Sequence, residues 1–254
     1  MATGAITGYV DVAQIVLYVF WAFFAGLIYY LLRENKREGY PLVSDRSKHI
    51  TVQGWPPVPA PKTYLLPHGG TVQAPRSGTE PAIAAAPYAR FAGAPLQPAG
   101  DAMRDGVGPA AYALREDKPE LTIDGEPMIV PMRNLPGASV AAEDPDPRGF
   151  AVVGCDGATA GTVQELWVDR AEPQIRYLEV ALAAGGVRLL PMGLARVNGA
   201  KRRVSVASVT AAQFSGAPEN ASGELITKRD EDRITAYFAS GHLYATPTRL
   251  GPVL

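Results

Sequence analysis

One cysteine, Cys155, stands in a chain of 254 residues. A single thiol excludes an intrachain disulfide and fits a reducing compartment. Histidine is almost as scarce: His49, His68 and His242 are far apart in sequence. No CxxC, HExxH, P-loop or GxSxG pattern occurs, which counts against an enzyme. An excess of one charge is also missing. The chain has 24 basic and 25 acidic residues, so nothing electrostatic points to nucleic acid as a partner. Charge is absent altogether from Val12 to Leu32, VAQIVLYVFWAFFAGLIYYLL, where Gln14 is the one strongly polar side chain.

That run organises the rest. As a helix it is about 30 Å long, the thickness of a bilayer's hydrocarbon core, and a helix satisfies its own backbone there. A signal peptide would place its basic residues first. Here Met1 to Asp11 has no Lys or Arg, whereas Arg33, Lys36, Arg37, Arg46 and Lys48 follow the run. Basic residues stay on the cytoplasmic side, so residues 1–11 are expected outside and 33–254 inside. Tyr9, Tyr29, Tyr30 and Tyr40 suit the interfacial belts, and Ala22 and Gly26 share a face that permits close helix approach.

RENKREGY (Arg33 to Tyr40) is expected to continue the helix until Gly39 and Pro41 stop it, with Arg37 and Tyr40 at headgroup depth. Residues 41–100 hold 11 of the 23 prolines. Proline excludes helix and central strand from most of this region. Trp55, Tyr64, Leu65 and Leu66 need something to lie on, so an ordered strap over a partner's surface is favoured over a flexible linker. Asp124-Gly125 marks a turn between short extended pieces of Pro119 to Met132, and 133–148 is expected to be a connecting loop. Candidate strands follow at 150–153, 161–169, 175–182, 187–192 and 203–207, a spacing that implies a small antiparallel barrel or sandwich. The alternation in Tyr177 to Val180 suggests one wet face. Asp230 to Tyr244 is expected to be a terminal helix, with Asp230 as N-cap and Ile234, Tyr237, Phe238 and Leu243 as its buried stripe.

Several short strings stand in order along the chain: FFAGLIYYL with RENKREGYPL (Phe23 to Leu42), PKTYLLPHG (Pro61 to Gly69), DGVGPA (Asp105 to Ala110), GCD (Gly154 to Asp156), LWVD (Leu166 to Asp169), LEV (Leu178 to Val180) and RLLPM (Arg188 to Met192). Together they resemble the H subunit of the purple bacterial photosynthetic reaction centre, over nearly the whole chain. The resemblance implies a single N-terminal transmembrane helix and a mainly-β cytoplasmic domain of the PRC-type β-barrel, with a C-terminal helix. It implies the organisation 1–11 periplasmic, 12–32 span, 33–110 helix extension and strap, and 111–254 globular domain. The location implied is the bacterial inner, intracytoplasmic photosynthetic membrane.

The partners implied are the L and M subunits, membrane lipids, and as further candidates an antenna ring and a cytochrome subunit. No cofactor is expected on this chain; bacteriochlorophyll, bacteriopheophytin, quinones and non-haem iron would sit on L and M. The subunit would be no enzyme, but would conduct protons from the cytoplasm to the secondary quinone. In WVDRAEPQIRYLEV, Asp169, Glu172 and Arg176 match the family's acidic and basic residues near that quinone. Carried over, Glu172 is the internal relay carboxylate, Asp169 sits on the path and Arg176 tunes the charge of the set. Burial and like charges raise carboxylates above their usual ~4, and arginine lowers them, so such a cluster can be tuned. At the proton entrance some relatives have two histidines around a glycine after PEL. Asp124 and Glu126 occupy those places here, with Thr122 in place of an Asp; an exposed turn is an equally good reading. Tyr30, Arg37 and Tyr40 are the expected lipid contacts. Two other readings compete. One is a tethered enzyme with Cys155 as nucleophile and His68 or His242 as its base; the other is a membrane-tethered PRC-barrel adaptor without a photosynthetic role.

Overall fold

A computed structural model describes residues 4–7, 9–43, 50–67, 69–76, 83–91, 94–172, 174–220 and 223–250. Arg46, Lys48, His49 and His68 lie outside them. The chain forms two compact units, Met1–Pro81 with Phe91–Gly93, and Ala82–Arg90 with Ala94–Leu254.

Helix α1 (Val12–Glu34) builds the first unit. Asp11 caps it: its Oδ1 accepts from the Gln14 amide at 2.8 Å, and the Gln14 Oε1 accepts from the Asp11 amide at 3.3 Å. None of its residues is buried. Among the described residues nothing approaches the place where a Cβ on Gly26 would stand. The α-helix stops at Glu34 rather than running to Tyr40. A 3-10 turn, Asn35–Arg37, tightens its end, and the Asn35 amide donates to the carbonyls of Leu31 and Arg33.

The proline-rich region is ordered into short antiparallel ribbons rather than one extended strip. Strand β1 (Leu42–Val43) pairs with β2 (Thr51–Val52), and β3 (Lys62–Leu65) with β4 (Thr71–Ala74). Proline leaves carbonyls without ladder donors, and the basic end of α1 supplies them. Buried Lys36 donates to Gln53 O and Pro56 O at 2.6 and 2.5 Å. Arg37 Nη1 donates to Ala60 O and Ala74 O at 2.8 and 2.9 Å. Trp55 and Leu65 remain 76% and 84% exposed. The Trp55 ring stands 5.5 Å from that of Tyr29 on the helix.

The second unit begins with a third ribbon, β5 (Ala85–Pro87) with β6 (Leu96–Pro98). Its core is a seven-stranded sheet of β7 (Ile129–Pro131), β8 (Ala151–Val153), β9 (Thr159–Asp169), β10 (Gln174–Leu182), β11 (Val187–Pro191), β12 (Ala195–Asn198) and β13 (Arg203–Val206). The path runs β11-β10-β9-β8-β13-β12, antiparallel except for β13 with β8. The long β9 gives one edge to β10 and shares the other between β8, opposite Gly161 and Thr162, and β7, opposite Trp167 to Asp169. Gly161 has no alternative: a Cβ there would overlap the Ala181 carbonyl. Val152, Val163, Leu166, Leu178, Val180, Leu190 and Val204 are fully buried between the sheet and its cover.

Helix α2 (Lys228–Tyr244) is part of that cover. Thr227, not Asp230, is its N-cap. Thr227 is extended, and its Oγ1 accepts from the Asp230 amide at 3.1 Å, which puts Asp230 inside the first turn. Ile234, Tyr237 and Phe238 form the buried stripe as expected. Leu243 is exposed, and Gly241 completes the stripe where a Cβ would come within 2.5 Å of Ser208 O. The wet face expected at Tyr177 to Val180 is covered too: Tyr177 is buried, and its hydroxyl lies 3.4 Å from a Glu231 carboxylate oxygen on α2.

Candidate functional site

Asp169 ends β9 and turns the chain toward β10. Its residue is 5% exposed. Oδ1 accepts from the amides of Ala171 and Glu172 at 2.9 and 3.2 Å, an Asx-type turn that fixes the hairpin. Oδ2 faces Arg176 Nη1 at 3.4 Å. The other end of the Arg176 guanidinium, Nη2, lies 3.8 Å from Glu231 Oε2. Two strands and the first turn of α2 therefore bring Asp169, Arg176 and Glu231 into one chain of charge.

Glu231 is the member that sequence reading missed. It is 7% exposed, and among the described residues its Oε1 has no hydrogen-bond partner. Burial pushes its carboxyl above the ordinary glutamate range, while Arg176 and Arg115 pull it back. Tyr177, desolvated beside it, is raised as well. A signal for Glu231 was there: it stands three residues before Ile234 and seven before Phe238, on the buried stripe of the helix.

Glu172 sits exposed in the hairpin turn, its Oε2 3.4 Å from Gln174 Nε2. Its backbone joins the Asp169 turn; its carboxylate makes no ion pair with Arg176 among the described residues. Asp124 and Glu126 are exposed in a second turn, closed by Thr122 N to Glu126 O at 2.8 Å. Glu126 pairs at 3.5 Å with Arg170, the residue after Asp169, and the Arg170 amide donates to Met128 O. The two turns thus lie side by side. A cavity of about 690 Å³ opens beside the hairpin, walled by Asp169 and Ile175 on the strands, by Arg170 in the turn, and by Leu135 and Val140 on the 133–148 connector.

The expected lipid contacts lie at the end of α1. Tyr30 is half exposed, with Lys62 Nζ 5.6 Å from its ring centre. Tyr40 carries Lys36 at 5.1 Å. Arg37 is engaged by protein: besides two carbonyls, it holds Glu34 through Nε and Nη2 at 2.8 and 2.9 Å. Among the described residues no group of three His, Cys, Asp or Glu side chains could hold a metal. Cys155 is a free, partly buried thiol.

Residues 4–134 match the family model of the photosynthetic reaction centre H-chain N-terminal region, and residues 140–213 that of the PRC-barrel domain. The first match alone covers just over half of the chain. The chain belongs to the reaction-centre H-chain family. As an H chain it is a component of a photosynthetic reaction-centre complex, and its β-sheet unit is a PRC barrel. One helix among the described residues, α1 with its 3-10 extension to Arg37, is long and apolar enough to cross a membrane, in keeping with a membrane-embedded complex. In this H chain Asp169, Arg176 and Glu231 belong to the barrel unit, whose strand β9 carries the LWVD string.

Proposed function

We propose that this H chain is a non-catalytic subunit that caps the L and M chains on the cytoplasmic side and conducts protons toward the secondary quinone. The N-terminus would lie in the periplasm and the barrel in the cytoplasm. The observation that carries the reading is the charged set Asp169–Arg176–Glu231, with Glu172 exposed on the adjoining turn.

A relay needs groups that exchange protons over hydrogen-bond distances or through ordered water. Glu231, held above its ordinary range by burial, can keep a proton nearer neutrality than a solvated glutamate does. Arg176 stays cationic and fixes the carboxylates on either side of it. Glu172, free on the surface of this chain, is the carboxylate that a docked partner would enclose. Glu126 and Asp124, exposed on the turn linked to the hairpin by Arg170, would collect protons at the surface. The quinone, the pigments and the iron would be held by L and M, and this chain's task is confined to delivering protons and stabilising the assembly.

The test is Glu172→Gln in the intact complex. Side-chain size and hydrogen bonding are kept while the transferable proton is lost. Assembly and the first light-driven electron transfer should stay near normal. The proton-coupled second transfer should slow by about 10-fold or more, with partial rescue by a permeant weak acid. An unchanged second transfer from neutral to alkaline pH removes Glu172 from the path.

A further inference from the structure

Away from the charged hairpin, the barrel unit has a second cavity of about 390 Å³, and three arginines line it: Arg104, Arg188 and Arg233. One carboxylate, Glu219, shares the lining. Two of the guanidiniums are aimed by neutral groups. Arg104 donates through Nε and Nη2 to Gly216 O. Arg188 donates through Nε to Ala217 O at 2.9 Å and through Nη2 to Ser215 O at 3.0 Å. Three successive carbonyls therefore orient two cations without neutralising them. Gly216 is required at the centre, since a Cβ there would come within 2.6 Å of the Tyr237 hydroxyl.

Each arginine has one carboxylate within 4 Å, but only Glu219 lines the cavity. Asp101, 3.7 Å from Arg104, and Asp230, 3.6 Å from Arg233, stand behind the guanidiniums at distances too long for a hydrogen bond and leave donors unused. Among the described residues Arg233 and the Nη1 of Arg104 make no hydrogen bond. Glu219 lies 2.9 Å from Arg188 Nη2 but is 74% exposed, so it can swing away. Guanidinium donors that are aimed by fixed carbonyls and not used up by hydrogen bonds form a prepared site for an anion, and guanidinium forks suit phosphate oxygens. The remaining wall, with Met103, Tyr112 and Pro218, is apolar or aromatic, which suits an organic body rather than a bare ion.

We infer that this cavity binds a phosphate monoester: its phosphate takes the place of the Glu219 carboxylate among Arg104, Arg188 and Arg233, and its apolar body lies against Tyr112. A soluble ester and a phosphatidic acid headgroup share that chemistry.

Calorimetric titration of the full chain in its purified complex decides between them. At low ionic strength phenyl phosphate should bind saturably, at one site per chain, and more tightly than inorganic phosphate. Arg104→Gln and Arg233→Gln, both on partly exposed side chains, should each weaken it about 10-fold, the scale of one charge-assisted contact. Glu219→Gln should tighten it several-fold, a gain that no loss of folding can imitate. Binding of phosphatidic acid nanodiscs but not phenyl phosphate, still lost in Arg104→Gln, assigns the site to the lipid. Equal affinity for inorganic and phenyl phosphate overturns the ester assignment. Absence of binding to every probe, or binding that Arg104→Gln and Glu219→Gln leave unchanged, overturns the site.

Discussion

Asp169 separates two roles that one carboxylate performs, and paired substitutions measure each. Asp169→Ala removes the acceptor for two amides and the anion facing Arg176. A hydrogen bond to a charged acceptor contributes about 1.5–3 kcal/mol when its donors stay buried. The turn amides at Ala171 and Glu172 can reach water once the side chain is gone, and Arg176 is 40% exposed, so both parts are discounted by solvent. The net loss should be about 2 kcal/mol. Asp169→Asn keeps an oxygen for the turn and loses only the charge, so its cost should be about 1 kcal/mol or less. Urea unfolding of the full chain in detergent, followed by near-ultraviolet circular dichroism, reads both. Trp167, 1% exposed and hydrogen-bonded through Nε1 to Glu179, is a reporter inside the barrel. With a slope of roughly 2 kcal/mol per M, the alanine midpoint falls by about 1 M and the asparagine midpoint by half that or less. The light-driven second transfer should divide the pair differently: if charge is what counts there, asparagine slows it as alanine does. Equal midpoints for the two variants would refute the turn-capping argument, and a normal second transfer in both would refute the electrostatic one.

Three further outcomes are expected. Burial raises Glu231, so its stabilising share is complete below the ordinary glutamate value of about 4.3 and is lost as pH rises through the raised value; Glu231→Gln should therefore have a higher urea midpoint than the wild type at pH 8 and an equal one at pH 4, and a pH-independent difference would count against a perturbed carboxyl. Protease added to inside-out vesicles should digest the barrel, whereas digestion confined to right-side-out vesicles would reverse the orientation. Amides of the β3–β4 ribbon, whose Leu65 and Trp55 neighbourhood is exposed on the chain itself, should exchange slowly in the complex and fast in isolated chain, and equal exchange would restore the flexible-linker reading.

Most of the framework was legible because hydrophobic pattern and turn residues agreed. The apolar run at Val12 to Leu32 has no charge to interrupt it, and five strands of the barrel fall where β-branched or aliphatic runs are bounded by Gly, Asp or Pro. The misses have physical causes. Strand β12, ARVN, carries no run of its own and exists because β13 offers an edge. Asp230 and Thr227 are both good caps; Thr227 is the one with extended backbone, in an antiparallel bridge with Pro119 that the helix pattern does not contain. The ribbons of the proline-rich region depend on Lys36 and Arg37 donating to carbonyls 17 to 37 residues away, contacts that local composition does not contain. At the site, Asp169 and Arg176 were named by the family resemblance, since spacing alone reads as a solvated turn; the β9–β10 hairpin brings the two within reach, but Glu231 arrives from more than fifty residues later.

The same long-range logic governs the cavity wall beside Asp169. Residues 133–148 have little regular structure, yet both ends are pinned to the barrel by charge. Arg133 faces Glu165 and Glu179 at 3.8 and 3.6 Å, and Arg148 faces Glu165 at 3.7 Å. Glu165 and Glu179 are direct cross-strand partners on β9 and β10, an arrangement of like charges that destabilises a sheet by itself. Each finds relief in fixed donors: Glu165 Oε1 accepts from the Leu166 amide, Glu179 Oε2 from the Trp167 indole, and the two arginines supply the countercharge. Among the described residues the cations near this pair come from the two ends of the connector, whose Leu135 and Val140 line the cavity with Asp169. Each arginine is shared with a nearer carboxylate off the sheet, Arg133 with Glu224 at 2.8 Å and Arg148 with Asp146 at 2.6 Å. Replacing either arginine with a neutral residue should leave the strands paired but loosen the wall next to Asp169; a slower second transfer with the Trp167 near-ultraviolet signal retained would register that coupling, and an unchanged rate would refute it.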